Sequence, residues 1–260
     1  MTIFNRSLSR RGFLKSGMTA TAAASLASHP ARTHAVQANQ ATGGNNDIYR
    51  ALRDAPTPLI MDALIRLGHD RERLAMSRGV RPMIPARGTI AGPAVTTKYE
   101  ESDTPTTRDD IRSFVFRPVD EADSGSIWVT ASGTSEVLSM FGDVIVLACR
   151  QKGMAGLVTD GGCRDIEGME EIGLPVYAGG ICLYGPGSVI RPVAANVPII
   201  CGGIEVAPGD VIAADVNGVM AFPSVSLGDV IRVIGELREK ENLSRRALEE
   251  GQPLETAYRF

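Results

Sequence analysis

The chain has 260 residues, 43% hydrophobic and 22% charged, with 27 basic against 30 acidic side chains. That length is enough to bury a core and suits one generous domain or two small ones; the composition is that of an ordinary globular protein, not a fibrous or disordered one. The slightly acidic balance disfavours nucleic acid or an anionic membrane as partner, because such binding rests on neutralising phosphates with a basic face.

In chain order, the first segment reads as an export signal. SRRGFLK (Ser9–Lys15) pairs two arginines with Phe-Leu, a weakly apolar run GMTATAAASLAS follows, and THA (Thr33–Ala35) offers small residues for a signal peptidase. Residues 1–35 are therefore expected to be a twin-arginine leader and the mature protein periplasmic. The leader carries Arg6, Arg10, Arg11, Lys15 and Arg32 and no acid; losing these five of the 27 bases leaves 22 against 30 acids, a net charge of −8. Residues 36–47 (VQANQATGGNND) are polar and Gly/Asn-rich and read as a linker, so 48–260 is the expected catalytic domain.

Two short helical patterns follow, interrupted by Pro56 and Pro58, with Leu59, Ala63 and Leu67 spaced for one face. RGTIAGPAVTTKY and SGSIWVTASG are strand-like, and TPTTRDDIRSFVF between them resembles a capped helix. FGDVIVLACRQKGMAG (141–156) is ambiguous: its Val and Ile favour a strand, while Gly142-Asp143 in front, Arg150 and Lys152 late, and Gly153 behind are helix signals. MAGLVT is a buried strand, DIEGMEEIG a short helix stopped by Gly173 and LPVYAGG another strand, the alternation of βαβ units. VPIICGGIEVAPGDVIAADVNGVMAFP predicts short strands in an antiparallel layer. The last segment predicts a long amphipathic helix with Val230, Val233, Ile234, Leu237 and Leu243 inward.

Chemistry is narrowed by what is scarce. Of three histidines, His29 and His34 lie in or beside the leader, leaving His69, so a His-based triad or multi-His metal site is nearly excluded. Cys149, Cys163, Cys182 and Cys201 lack C-x-x-C spacing and sit in apolar runs; buried thiols are the default, with one disulfide open in an oxidising compartment. The unusual feature is Arg164-Asp165 directly after the apolar GLVTDGGC. Side chains in the loop after a buried parallel strand face a crevice, glycines let backbone approach a ligand, an Arg fork grips a carboxylate, and Asp offers hard oxygens to a divalent ion. Adjacent residues are expected to point different ways, one toward an anion and one toward a cation. A bare Arg-Asp dipeptide reads equally as a surface ion pair in a turn.

Asp143, twenty intervening residues and then Arg164-Asp165, set in Gly161-x-x-Arg-Asp, resembles the fingerprint of the RraA-like proteins, which include the class II 4-hydroxy-4-methyl-2-oxoglutarate aldolases. MDALIRLG, GTIAGPAVT, KGMAGLVTDGGCRDIEGMEEIGLPVYAGG, NVPIICGGIEVAPGDVIAADVNGVMAFP and the EKE of the last helix fall in the family's order, covering residues 48–254. The resemblance implies an αβ sandwich of the swivelling phosphohistidine-domain type, with mixed sheets and flanking helices, assembled as a homotrimer or hexamer. It implies Asp165 as direct ligand of a divalent cation (Mg²⁺, Mn²⁺ or another), Asp143 as ligand through water, and Glu241, with Glu239 close by, reaching the same waters from a neighbouring subunit. Arg164 would grip the substrate carboxylate, assisted by backbone N–H groups after Gly142 and Asp143, at Val144 and Ile145. Amides at a helix N-terminus form an anion site, which decides 141–156 for helix.

The implied activity is cleavage of a carbon–carbon bond in a 2-oxo acid to give pyruvate, with oxaloacetate decarboxylation as a side activity. Two departures stand out: Val144-Ile145 replaces the usual Leu-Leu, and an export signal is foreign to cytoplasmic ring-cleavage aldolases. A non-catalytic binding or regulatory protein, and an isomerase or hydratase of sugar acids through related chemistry, are the competing expectations.

Overall fold

A computed structural model describes residues 44–77 and 79–258; the expected leader, and the expected linker up to residue 43, lie outside the described residues. Helix α1 (Gly44–Arg53) takes up the last four residues of the expected linker, and α2 (Thr57–Arg66) follows Pro56 at its N-cap. Pro58 falls in the first turn of α2, where the backbone N–H groups have no partner within the helix and a missing one costs nothing. The buried face of α2 centres on Ile60, Ala63 and Leu64, with Leu59 and Leu67 at its margins.

Strands β1 (Arg81–Ile84) and β2 (Ile90–Glu101) come next. The helix expected over TPTTRDDIRSFVF is in three pieces: α3 (Arg108–Ile111), opened by a capping box between Thr107 and Asp110, a π-helical turn at Arg112–Phe116, and α4 (Arg117–Glu121). Pro118 has no N–H to return to the Phe114 carbonyl, which accepts instead from Thr97 Oγ1 at 2.9 Å.

The alternating region then runs β3 (Ile127–Ala131), β4 (Ser139–Phe141), α5 (Asp143–Lys152), β5 (Gly156–Thr159), β6 (Gly162–Cys163), α6 (Ile166–Ile172), β7 (Val176–Ala178) and β8 (Gly180–Ile181). The ambiguous segment 141–156 thus holds a helix, Asp143–Lys152, ended by Gly153 in the left-handed region. Beyond lie β9 (Ile190–Ala195), β10 (Ile199–Cys201), β11 (Ile204–Val206), β12 (Val211–Asp215), β13 (Gly218–Phe222), α7 (Leu227–Glu249) and α8 (Leu254–Ala257).

The main sheet is mixed, in order β1-β7-β5-β3-β2-β12-β13 with β9 also on β2; the pairs β2–β3, β3–β5 and β5–β7 are parallel. Its central strands are buried on both faces, so they read as continuous apolar runs. Trp128, Leu157 and Val176 face a core shared with α4–α6, and their neighbours Val129, Val158 and Tyr177 face one shared with β10–β11. A third core joins α1, α2 and α7 to Val211, Ala213, Met220 and Phe222.

Two expectations change. The C-terminal strands are not a separate layer: β12 joins the main sheet antiparallel to β2 and β13 pairs antiparallel with β12, while β10–β11 stands apart as a two-stranded sheet. On α7, Val230, Val233 and Ile234 are buried and Leu237 packs partly inward, but Leu243 is exposed and Ser244 and Ala247 continue the stripe. Among the described residues no helix is long and apolar enough to cross a membrane.

Candidate active site

The site is built by a second, three-stranded parallel sheet, β4-β6-β8. Its register pairs Ser139 with Gly162 and Phe141 with Cys163, so the chain leaving β4 at Gly142 runs beside the chain leaving β6 at Arg164. Arg164 N–H donates to the Phe141 carbonyl at 3.1 Å and fixes that neighbourhood. The twenty residues between Asp143 and Arg164 are one helix and the two strands that bring the chain back alongside its starting point.

Arg164-Asp165 does not follow β5 directly, as the sequence suggests. The chain bends at Asp160, whose carboxylate accepts from the N–H groups of Ser132 (2.8 Å) and Gly202 (3.2 Å), and pairs again as β6. The glycines of the bend serve packing rather than ligand access: a Cβ at Gly161 would sit 2.7 Å from Met140 Cγ, and one at Gly162 3.0 Å from Val137 Cγ1.

Asp165 occupies the left-handed region (φ 59°, ψ 42°) at the N-cap of α6. That backbone costs a non-glycine residue about 1 kcal/mol and concentrates at functional sites. It also turns the side chain back, so Arg164 and Asp165 do not point apart: Arg164 Nε lies 3.4 Å from Asp165 Oδ2, with the side chains 49% and 45% exposed. A half-exposed pair of this kind contributes little to stability. Only Nε is engaged among the described residues, leaving the terminal guanidinium nitrogens for a carboxylate.

The two aspartates are brought to the N-terminus of α5 by glycines. A Cβ at Gly142, the N-cap, would lie 2.8 Å from Asp165 Oδ2, and one at Gly168 of α6 3.0 Å from Asp143 Oδ2. Gly168 escapes sequence reasoning, since a glycine inside a short helix carries no signal of what it touches. The Val144 N–H is already taken by Asp143 Oδ1 at 2.7 Å, so it is not an open donor as expected, whereas Ile145 is half-buried behind it against the core. Val144 itself is 74% exposed, and Val137, Ile181, Leu183 and Tyr184 add an exposed apolar margin, with the Tyr184 carbonyl accepting from Ser139 N–H.

Glu241 is not part of this cluster within one chain. It lies on α7, which packs with α1 and α2, and its carboxylate is 2.5 Å from Arg245; Glu239 is 3.5 Å from Arg246. Among the described residues no three His, Cys, Asp or Glu side chains gather closely enough to hold a metal ion. Two partly exposed carboxylates still suit Mg²⁺, which keeps several waters and is commonly held by one or two protein carboxylates.

The thiols take no visible part. Cys149 and Cys163 are buried, and burial pushes their pKa up to about 12 and about 11, the latter with help from neighbouring Cys182; Cys201 is raised as well by burial. All four cysteines are free. His69 sits 3.2 Å from Ser226 Oγ and links the turn after α2 to the start of α7.

The family described as Aldolase/RraA matches residues 57–221. An uncharacterised protein of Methanocaldococcus jannaschii is 31% identical over 68% of this chain and 81% of its own length. A protein of Halalkalibacterium halodurans, provisionally named 4-hydroxy-4-methyl-2-oxoglutarate aldolase, is 25% identical over 82% and 93%. Among solved structures, an uncharacterised protein from Pseudomonas syringae pv. tomato superposes with a TM-score of 0.70 at 23% identity, covering 82% of this chain and 92% of that one. Streptomyces coelicolor RraAS2, described as an unusual member of the RNase ES inhibitor RraA family, does so at 0.65 with 25% identity, covering 76% and 96%.

Proposed function

This chain belongs to the RraA-like family, and from that premise we propose that it is a divalent-metal-dependent carbon–carbon lyase. Its substrate would be a 2-oxo acid, split as in aldol cleavage of 4-hydroxy-4-methyl-2-oxoglutarate to pyruvate, with oxaloacetate decarboxylation as a side activity. The observation carrying this reading is the meeting of Asp143, Arg164 and Asp165 at the N-terminus of α5. The provisional name of the Halalkalibacterium halodurans relative points the same way.

In this reading Asp165 and, through water, Asp143 would hold the ion, and Glu241 of an adjoining subunit would complete the set in a homotrimer or hexamer. When bound, a divalent ion supplies Lewis acidity toward the substrate's ketone oxygen as negative charge develops there. Arg164 receives the carboxylate on its free terminal nitrogens and orients the bond to be broken. The helix N-terminus at Gly142–Ile145 favours the same anion, and turning Asp143 toward an ion would release the Val144 N–H for it. Water held by Asp143 is the proton carrier, consistent with a site that contains no histidine among the described residues. With the twin-arginine leader expected at residues 1–35, this chemistry would take place in the periplasm.

A second reading, a non-catalytic protein that acts by contact, draws on the exposed Ile181, Leu183 and Tyr184 beside the cluster and on the inhibitor family to which RraAS2 is assigned. A coupled pyruvate assay with Mg²⁺ on 4-hydroxy-4-methyl-2-oxoglutarate and oxaloacetate separates the two. Turnover that disappears in Asp165→Ala supports the lyase; inactivity of the intact protein on both substrates, with no rise in melting temperature on Mg²⁺ titration, rejects it.

A further inference from the structure

A cavity of about 660 Å³ lies away from the α5 cluster, between the start of α2, the segment leading into β1 and the β12–β13 turn. Met61, Met76, Val80, Val216 and Met220 give it an apolar, adaptable wall, and among the described residues lining it Arg81 is the one cation. Arg81 is exposed and has no ion pair or side-chain hydrogen bond among the described residues, and no acidic side chain is among those lining the cavity.

Two acids adjoin lining residues in sequence: Asp62, exposed on α2, does not line the cavity, and Asp215 is buried beneath the turn and fully engaged. Its oxygens accept from Thr57 N–H (2.8 Å), Thr57 Oγ1 (2.7 Å), Asn217 N–H (2.8 Å) and Asn217 Nδ2 (3.0 Å). That network ties the turn to α2, while Met76 N–H to the Val219 carbonyl (2.9 Å) anchors the opposite wall, so the cavity is preformed rather than opened by a ligand. Its size is that of a small-molecule site, and its charge is complementary to an anion.

We propose that this cavity is a second ligand site, taking an amphipathic monocarboxylate whose apolar body lies against the three methionines and whose carboxylate meets Arg81 at the mouth. A short, polar 2-oxo acid would leave the methionine wall wet, so the ligand class differs from the substrate proposed for the α5 cluster.

Octanoate is the probe, titrated into full-length protein carrying ¹³C-methyl methionine. Saturable shifts of the Met61, Met76 and Met220 methyl signals are expected, with none from acetate. Arg81→Gln should weaken binding by about tenfold, the scale of losing one solvent-accessible charge-assisted contact. Arg81→Lys should recover part of that loss, and neither variant should alter the melting temperature. No saturable shift, equal binding of octylammonium, or unchanged affinity in Arg81→Gln would overturn the assignment. So would methionine signals that move with protein concentration in the absence of ligand, which would put a second copy of the chain there. The readout needs no turnover, so its failure leaves the lyase proposal standing, and the reverse holds too.

Discussion

Asp165 is the residue where fold and chemistry pull apart. Its left-handed backbone is a cost that glycine would not bear, and its pairing with Arg164 is too exposed to repay much of it. Asp165→Gly is therefore expected to leave stability unchanged or raise it by up to about 1 kcal/mol in urea unfolding while pyruvate formation is lost. A clear drop in stability would instead make the carboxylate structural. Arg164→Ala should chiefly raise KM and lower kcat/KM by about a hundredfold, the effect of removing a charged partner of a carboxylate. The cysteines divide by environment: Cys149, Cys163 and Cys201 are buried and hard to ionise, whereas Cys182 is only half-buried. Iodoacetamide at pH 8 should label Cys182 well before the others, as peptide mapping would record.

At the scale of elements, two contacts decide the geometry. Gly168 puts the backbone of α6 against Asp143, so in Gly168→Ala the new methyl must displace that carboxylate. Helix propensity favours the alanine by about 1 kcal/mol, so the expected result is a loss of about tenfold or more in kcat/KM with little change in unfolding midpoint. Asp215 pins α2 to the β12–β13 turn. Burial alone would raise its pKa, but the hydrogen bonds from Thr57 and Asn217 outweigh this and hold the carboxyl below the usual range. Asp215→Ala should destabilise the protein by about 2–3 kcal/mol at pH 7. Because the folded-state pKa lies under the unfolded value of about 3.9, the unfolded chain binds more protons in the interval between them. The gap between wild type and Asp215→Ala is thus full above about pH 4 and closes as the pH falls through the folded pKa, as urea titrations across pH would measure.

For the whole molecule, the shortage of ligands in one chain is the main issue. Asp143 and Asp165 stand together, while Glu241 lies on α7 in an exposed pair with Arg245 that costs little to break. If a second subunit supplies Glu241, as proposed, Asp165→Ala and Glu241→Ala should each be inactive alone. Equal mixing with subunit exchange should restore roughly a quarter of the native sites, those assembled from the two intact halves across a heterologous interface. No recovery under demonstrated exchange would remove Glu241 from the site.

Read alone, the sequence determined the alternation of strands and helices from Gly153 to Gly180, while the helix at 143–152 and the candidate trio Asp143, Arg164 and Asp165 came from it only through the resemblance to a known family. The alternation was legible because it rests on short-range chemistry: apolar runs, a stopping glycine, and a βαβ repeat that returns the chain to a neighbouring strand. Only the tertiary structure decided that Asp165 turns back onto Arg164, that Gly142 and Gly168 make room for the carboxylates, and that β12 and β13 join the main sheet. Each of those depends on contacts between segments far apart in sequence, where strand register and the space left by a missing side chain govern the outcome and local propensity has no influence.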